Sequence, residues 1–86
     1  MIIDDDPSML WFVTEIFVGA YNVVSLGSAE EALKQLGIQL PDLIISDVMM
    51  PGMDGMSFAK KIKSDKLLSR IPLILLSALN NIDEQT

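Results

Sequence analysis

A chain of 86 residues has room for one domain and no more, and at that size roughly 60–65% of the unfolded surface can be buried. Half of the residues are hydrophobic and 21% are charged, which excludes a disordered chain. Twelve acids against six bases leave a net charge of −6, a balance that argues against nucleic-acid contact and suits a cation or a basic partner.

Cysteine and histidine are both absent. Disulfides, thiolate zinc sites, Cys- or Ser–His nucleophiles and a phosphohistidine carried by this chain are therefore excluded. No apolar run approaches the ~20 residues of a membrane span. Met1-Ile2-Ile3 leads straight into three acids and forms no signal peptide. A soluble, cytoplasmic domain without membrane contact is expected.

In chain order, Met1-Ile2-Ile3 is a short apolar run that suits a buried strand. Asp6-Pro7 reads as a helix N-cap with proline at the first helical position, followed by a first helix over Ser8 to Val18 that stops near Gly19. Tyr21 to Leu26 is rich in strand formers and predicts a second strand. Ser28-Ala29-Glu30-Glu31 is a capping box that opens a second helix, closed by Gly37. Asp42 to Asp47 predicts a third strand, apolar in the middle and acidic at its end. Pro51, Gly52 and Gly55 mark a loop, and Asp54 can cap a third helix running to about Asp65. Ile71 to Ser77 predicts a fourth strand with proline near its start. Asn80 to Thr86 reads as the opening turn of a fourth helix.

Strand alternating with helix implies right-handed crossovers and a doubly wound, mostly parallel α/β sheet with helices on both faces. The strand interiors are continuously apolar, as burial on both faces requires. The last βα unit is incomplete at Thr86, so residues 1–86 are expected to be a fragment of a domain.

In such a sheet, ligands bind at the carboxyl ends of the strands. Asp4, Asp5 and Asp6 follow the first strand, Asp47 ends the third, and Ser77 closes the fourth at the same edge. Gathered together, the carboxylates repel and raise one another's pKa. A hard divalent cation offsets that repulsion, and an all-oxygen donor set points to magnesium. Asp6 and Asp54 are accounted for as helix caps, and Asp42 as the start of its strand.

Asp47-Val48-Met49-Met50-Pro51-Gly52-Met53-Asp54-Gly55 resembles the phosphoacceptor loop of response-regulator receiver domains. Ile2-Ile3-Asp4-Asp5-Asp6-Pro7 is similar to that family's first strand and acidic pair, and Leu75-Leu76-Ser77-Ala78 to its fourth strand. The three motifs stand in the family's order.

The resemblance implies a flavodoxin-like receiver fold with strand order 2-1-3-4 and the fifth strand missing. It makes Asp47 the phosphoacceptor and Ser77 the residue that hydrogen-bonds the phosphoryl group and switches on its arrival. Mg2+ would be held by Asp5 and Asp47 directly, by Asp4 through water, and by the backbone carbonyl of Met49. The implied phosphodonor is a histidine kinase or phosphotransfer domain, and the implied target is an attached or separate output domain. The family also uses a lysine at the end of a fifth strand. None of Lys34, Lys60, Lys61, Lys63 or Lys66 stands at a strand end, so residues 1–86 alone are expected to take up phosphoryl groups poorly.

Helix 1 is apolar nearly all the way round. Leu10, Val13 and Phe17 share its core face, leaving Trp11, Phe12 and Ile16 available to a partner, in the family the phosphodonor. The loop methionines are read as flexible packing, and the lysines around helix 3 as a solvated face. An exposed fourth strand is a template for pairing with another chain, a second copy included.

Two other functions compete. A haloacid-dehalogenase-like phosphatase would use Asp4 as nucleophile and Asp6 as general acid–base, with Leu76-Ser77 as its second motif, but leaves the Asp47 loop unexplained. A receiver-like interaction module would work without phosphorylation.

Overall fold

The computed structural model describes residues 1–76. Ser77 and the expected start of a fourth helix lie outside the described residues. The elements alternate as β1 (Ile2–Ile3), α1 (Pro7–Phe17), β2 (Ser25–Leu26), α2 (Ala29–Leu36), β3 (Ile44–Asp47), α3 (Gly55–Ser64), a 3-10 turn over Leu68–Arg70, and β4 (Leu73–Leu76). The four strands form one parallel sheet in the order β2-β1-β3-β4.

The helix starts follow from local chemistry. The Asp6 carboxylate accepts the Ser8 N–H at 3.0 Å, with Pro7 in the first turn. The Ser28 hydroxyl accepts the Glu31 N–H at 3.1 Å. The Asp54 carboxylate accepts the Ser57 N–H at 2.8 Å. Each satisfies an otherwise orphaned donor, worth about 1 kcal/mol at a typical cap. Gly37 does close α2, but in a right-handed conformation with φ −74°, so no left-handed cap is present there.

Alternation along the strands splits the core into two layers. Ile3 and Ile44 face α2 and α3, where they pack with Ala29, Ala32, Leu36, Phe58 and Ile62. Ile2 and Ile45 face α1 and pack with Val13, Leu10 and Phe17, the helix face expected to be core. Burying a side chain the size of Phe58 or Ile62 contributes about 1.5–3 kcal/mol. On α1 the opposite face stays exposed, Trp11 at 66% and Phe12 at 58%.

The second strand is shorter than its residue types predict. Only Ser25 and Leu26 pair, opposite Ile2 and Ile3, although the Ile2 N–H also reaches the Val24 carbonyl at 2.8 Å. As an edge strand, β2 can extend no further than its two-residue partner. β3 likewise starts at Ile44 rather than Asp42.

Candidate functional site

Register brings the acids together. β1 and β3 are parallel, with Ile2 opposite Ile45 and Ile3 opposite Ser46. One residue further along, Asp4 stands beside Asp47 at the carboxyl ends of the two central strands. One carboxylate oxygen each from Asp4, Asp5 and Asp47 lies within 4.8 Å of the others. Asp4 is buried, Asp47 half-buried and Asp5 exposed, so the cluster opens to solvent on one side. Ser46, fully buried, turns its hydroxyl to the Asp47 carbonyl at 3.0 Å.

Electrostatics strain this arrangement. Burial holds the Asp4 carboxyl above the ordinary carboxylate range, and the Asp47, Asp5 and Asp6 carboxylates push the same way. Against them acts the Asp6 N–H, donated to Asp4 Oδ1 at 2.9 Å. A folded value above the unfolded one means that stability is fully present below the unfolded value and is lost as pH rises through the folded one. Asp4→Asn is accordingly expected to stabilise the magnesium-free protein near neutral pH. The gain should be about 1 kcal/mol, the size of one carboxylate repulsion at 4 Å in water-like surroundings. It should vanish on acidification below the unfolded value. Denaturant melts across pH check this, and an Asp4→Asn protein no more stable at neutral pH would contradict it. The helix cap Asp54 runs the other way. The Ser57 hydrogen bonds hold its carboxyl below the ordinary range, so its contribution is lost as pH falls through that depressed value.

The loop from Asp47 into α3 is pinned twice. At its base, the Gly55 N–H donates to the Val48 carbonyl at 2.8 Å. At its crown, the Met53 N–H donates to Glu30 Oε2 at 3.0 Å, from the first turn of α2. Between these points Met50 is buried in the core beneath α2 and α3, while the Met49 side chain is exposed. Gly52 occupies the left-handed region at φ 75°, a conformation that glycine adopts without steric cost. Gly55 is required for a different reason: a Cβ there would overlap the Asp47 carbonyl oxygen and come within 2.8 Å of Val48 Cα.

Asp4, Asp5 and Asp47 are thus gathered as the sequence predicts, with Met49 in the same loop. Ser77 lies outside the described residues. Asp6, the general acid–base of the phosphatase alternative, is engaged as the α1 cap. Glu30 and Gly55 went unrecognised as site residues. In the sequence Glu30 reads only as an acid beside the capping Glu31, and Gly55 as a loop signal, and no local pattern reveals a contact 23 residues away.

The donor set fits a hard divalent cation. It is entirely oxygen, carries three negative charges over a few ångströms, and places no nitrogen or sulfur ligand among them.

Comparison with known proteins agrees with this geometry. Residues 1–86 match the family model of the response regulator receiver domain. The chain is 35% identical over 83 residues to the DNA-binding transcriptional regulator NtrC of Klebsiella pneumoniae, covering 95% of this chain and 17% of that protein. It is 33% identical over 78 residues to hybrid signal transduction histidine kinase D of Dictyostelium discoideum, covering 91% of this chain and 5% of that protein. Among solved structures, the N-terminal domain of a response regulator receiver protein from Methanoculleus marisnigri JR1 superposes with a TM-score of 0.83 at 30% identity, over 96% of this chain and 72% of that one. The receiver domain of a signal transduction histidine kinase from Syntrophus aciditrophicus gives 0.82 at 33% identity, over 98% and 67%. The chain therefore spans a small part of the regulators and kinases that it matches.

Proposed function

Since the chain belongs to the response regulator receiver domain family, we propose that Asp47 is its phosphoacceptor and that Asp4, Asp5 and Asp47 hold the Mg2+ that the transfer requires. The observation that carries this reading is the convergence of the three carboxylate oxygens within 4.8 Å at the carboxyl edge of the sheet.

In the transfer, an Asp47 carboxylate oxygen forms a bond to phosphorus as the bond from phosphorus to the donor's imidazole nitrogen breaks. The electron pair leaves with that nitrogen, which takes up a proton. The chain has no histidine, so the phosphohistidine belongs to another domain or chain. Bound Mg2+ screens the charge on the phosphoryl oxygens. Asp5, Asp47 and the Met49 carbonyl would hold it directly, and Asp4 through water. Ser77 is proposed to hydrogen-bond the transferred group and to shift the equilibrium between two conformations.

Histidine kinases donate to receiver domains, and receiver domains occur fused to output domains. Here the donor is proposed to dock at the exposed Trp11–Phe12 face of α1. The output is proposed to be an attached or separate domain, attachment being supported by the longer regulator and kinase that the chain resembles. Among the described residues no helix is long and apolar enough to cross a membrane, and a cytoplasmic location is proposed.

Incubating the full-length protein with acetyl phosphate and Mg2+ tests the reading. One phosphoryl group per chain is expected by intact mass, labile to hydroxylamine as an acyl phosphate is, with no uptake when the metal is chelated beforehand. No uptake from acetyl phosphate or from a phosphohistidine donor would refute it, and would favour a module that binds partners without phosphorylation.

A further inference from the structure

Glu30 does more than begin a helix. It sits in the first turn of α2, exposed, with no part in the capping hydrogen bond, which runs from Glu31 N–H to Ser28. Its Oε2 instead crosses to the phosphoacceptor loop and accepts the Met53 N–H at 3.0 Å. The same oxygen lies 2.8 Å from where a Cβ on Gly52 would stand, so carboxylate and loop crown are in close apposition. A side chain that accepts a backbone N–H removes a degree of freedom from the loop that an exposed backbone would otherwise keep.

At this height the loop is also held by the Met53 side chain, packed half-buried against the core, but among the described residues no other bond to its backbone reaches it from α2. Its base is closed by Gly55 N–H to the Val48 carbonyl, and Met50 is anchored in the core. The crown, from Pro51 to Asp54, is mostly exposed. Met49, whose carbonyl is proposed as a metal ligand, stands between the base and that crown.

We infer that Glu30 is a positioning residue for the acidic site: by clamping the Met53 N–H from α2, its carboxylate fixes the loop segment that carries Met49 and so sets the Mg2+ affinity of the Asp4–Asp5–Asp47 cluster. The inference rests on the proposed metal site and adds its control from a second element of the fold. Charge alone does not account for the role, because an anion at this position acts on any nearby cation whether or not it reaches Met53.

Three variants of the full-length protein separate reach from charge. Glu30→Ala removes the acceptor. Glu30→Asp keeps the charge but shortens the reach by one methylene. Glu30→Gln keeps the reach and an acceptor oxygen without the charge. Mg2+ binding is measured by titration calorimetry, alongside hydrogen exchange at the Met53 amide and thermal melting without metal.

The expected result is binding weakened about three- to tenfold in Glu30→Ala and Glu30→Asp, the range of one hydrogen bond's net worth. Glu30→Gln should stay within about twofold of the unaltered protein. The Met53 amide should exchange faster in the two weakened variants alone. A lowered melting temperature with unchanged Mg2+ affinity would overturn the inference and leave the metal site intact, since Glu30 would then serve stability only. Weakening in Glu30→Gln equal to that in Glu30→Ala would overturn it in favour of bare charge. An unaltered protein that binds no Mg2+ would remove the metal site itself, and this inference with it.

Discussion

Asp47→Asn is expected to abolish phosphoryl uptake completely, while Asp5→Asn keeps the acceptor and raises the Mg2+ concentration needed for uptake by at least about tenfold. The two changes are similar in size and remove one charge each from the same cluster, so a general electrostatic effect predicts similar losses. The chemistry predicts different ones. An amide at position 47 has no carboxylate oxygen to form the acyl phosphate. At position 5 the proposed nucleophile survives, and only a proposed metal ligand is lost. Labelling from acetyl phosphate across a Mg2+ titration distinguishes them. Uptake that persists in Asp47→Asn and disappears in Asp4→Asn would place the nucleophile on β1, as the phosphatase alternative requires.

Gly55→Ala carries the largest expected cost to the fold. As the first residue of α3 it would on propensity alone favour alanine by less than the ~1 kcal/mol of a helix interior. Close approach reverses the sign. The new Cβ would overlap the Asp47 carbonyl oxygen and press on Val48 Cα. Gly55 is buried, and both obstructing groups are backbone, so no flexible side chain can yield.

Overpacking of this kind costs about 1–3 kcal/mol, which lowers the melting temperature by roughly 4–8 °C per kcal/mol in a domain of this size. Relief can come only by moving the chain at Asp47, so Mg2+ affinity should fall as well. Gly52→Ala provides the contrast. It suffers the left-handed penalty of about 1–2 kcal/mol, and the atom it meets is the end of the Glu30 side chain, which can swing away, so its Mg2+ affinity should fall no further than that of Glu30→Ala. Thermal melts and Mg2+ titration of both variants check this. A Gly55→Ala protein as stable as the unaltered one would show that the Asp47 backbone yields freely.

Local rules account for much of what was legible. Asp6-Pro7, Ser28 with Glu31, and Asp54 act within three or four residues, and each caps its helix as predicted. Alternating apolar runs indicated the strand–helix repeat because burial on both faces of a sheet leaves no polar face to mark. An Asp at the end of each of two apolar runs located the acidic site, since parallel strands place their carboxyl ends on one rim.

Local propensity misled at Tyr21 to Val24. These residues are strand formers, but pairing is decided by the partner strand, and β1 pairs with only Ser25 and Leu26.

By itself, then, the sequence determined the order and type of the described elements, the three helix N-caps and the three carboxylates of the candidate site, because those depend on neighbours along the chain and on the period of burial. Tertiary structure alone decided the register that sets Asp4 directly opposite Asp47, that Gly55 must lack a side chain to let α3 pass the Asp47 carbonyl, and that Glu30 reaches Met53. Each of these is a contact through space between residues distant in the chain. Such contacts depend on strand register and helix placement, which no short stretch of residues encodes.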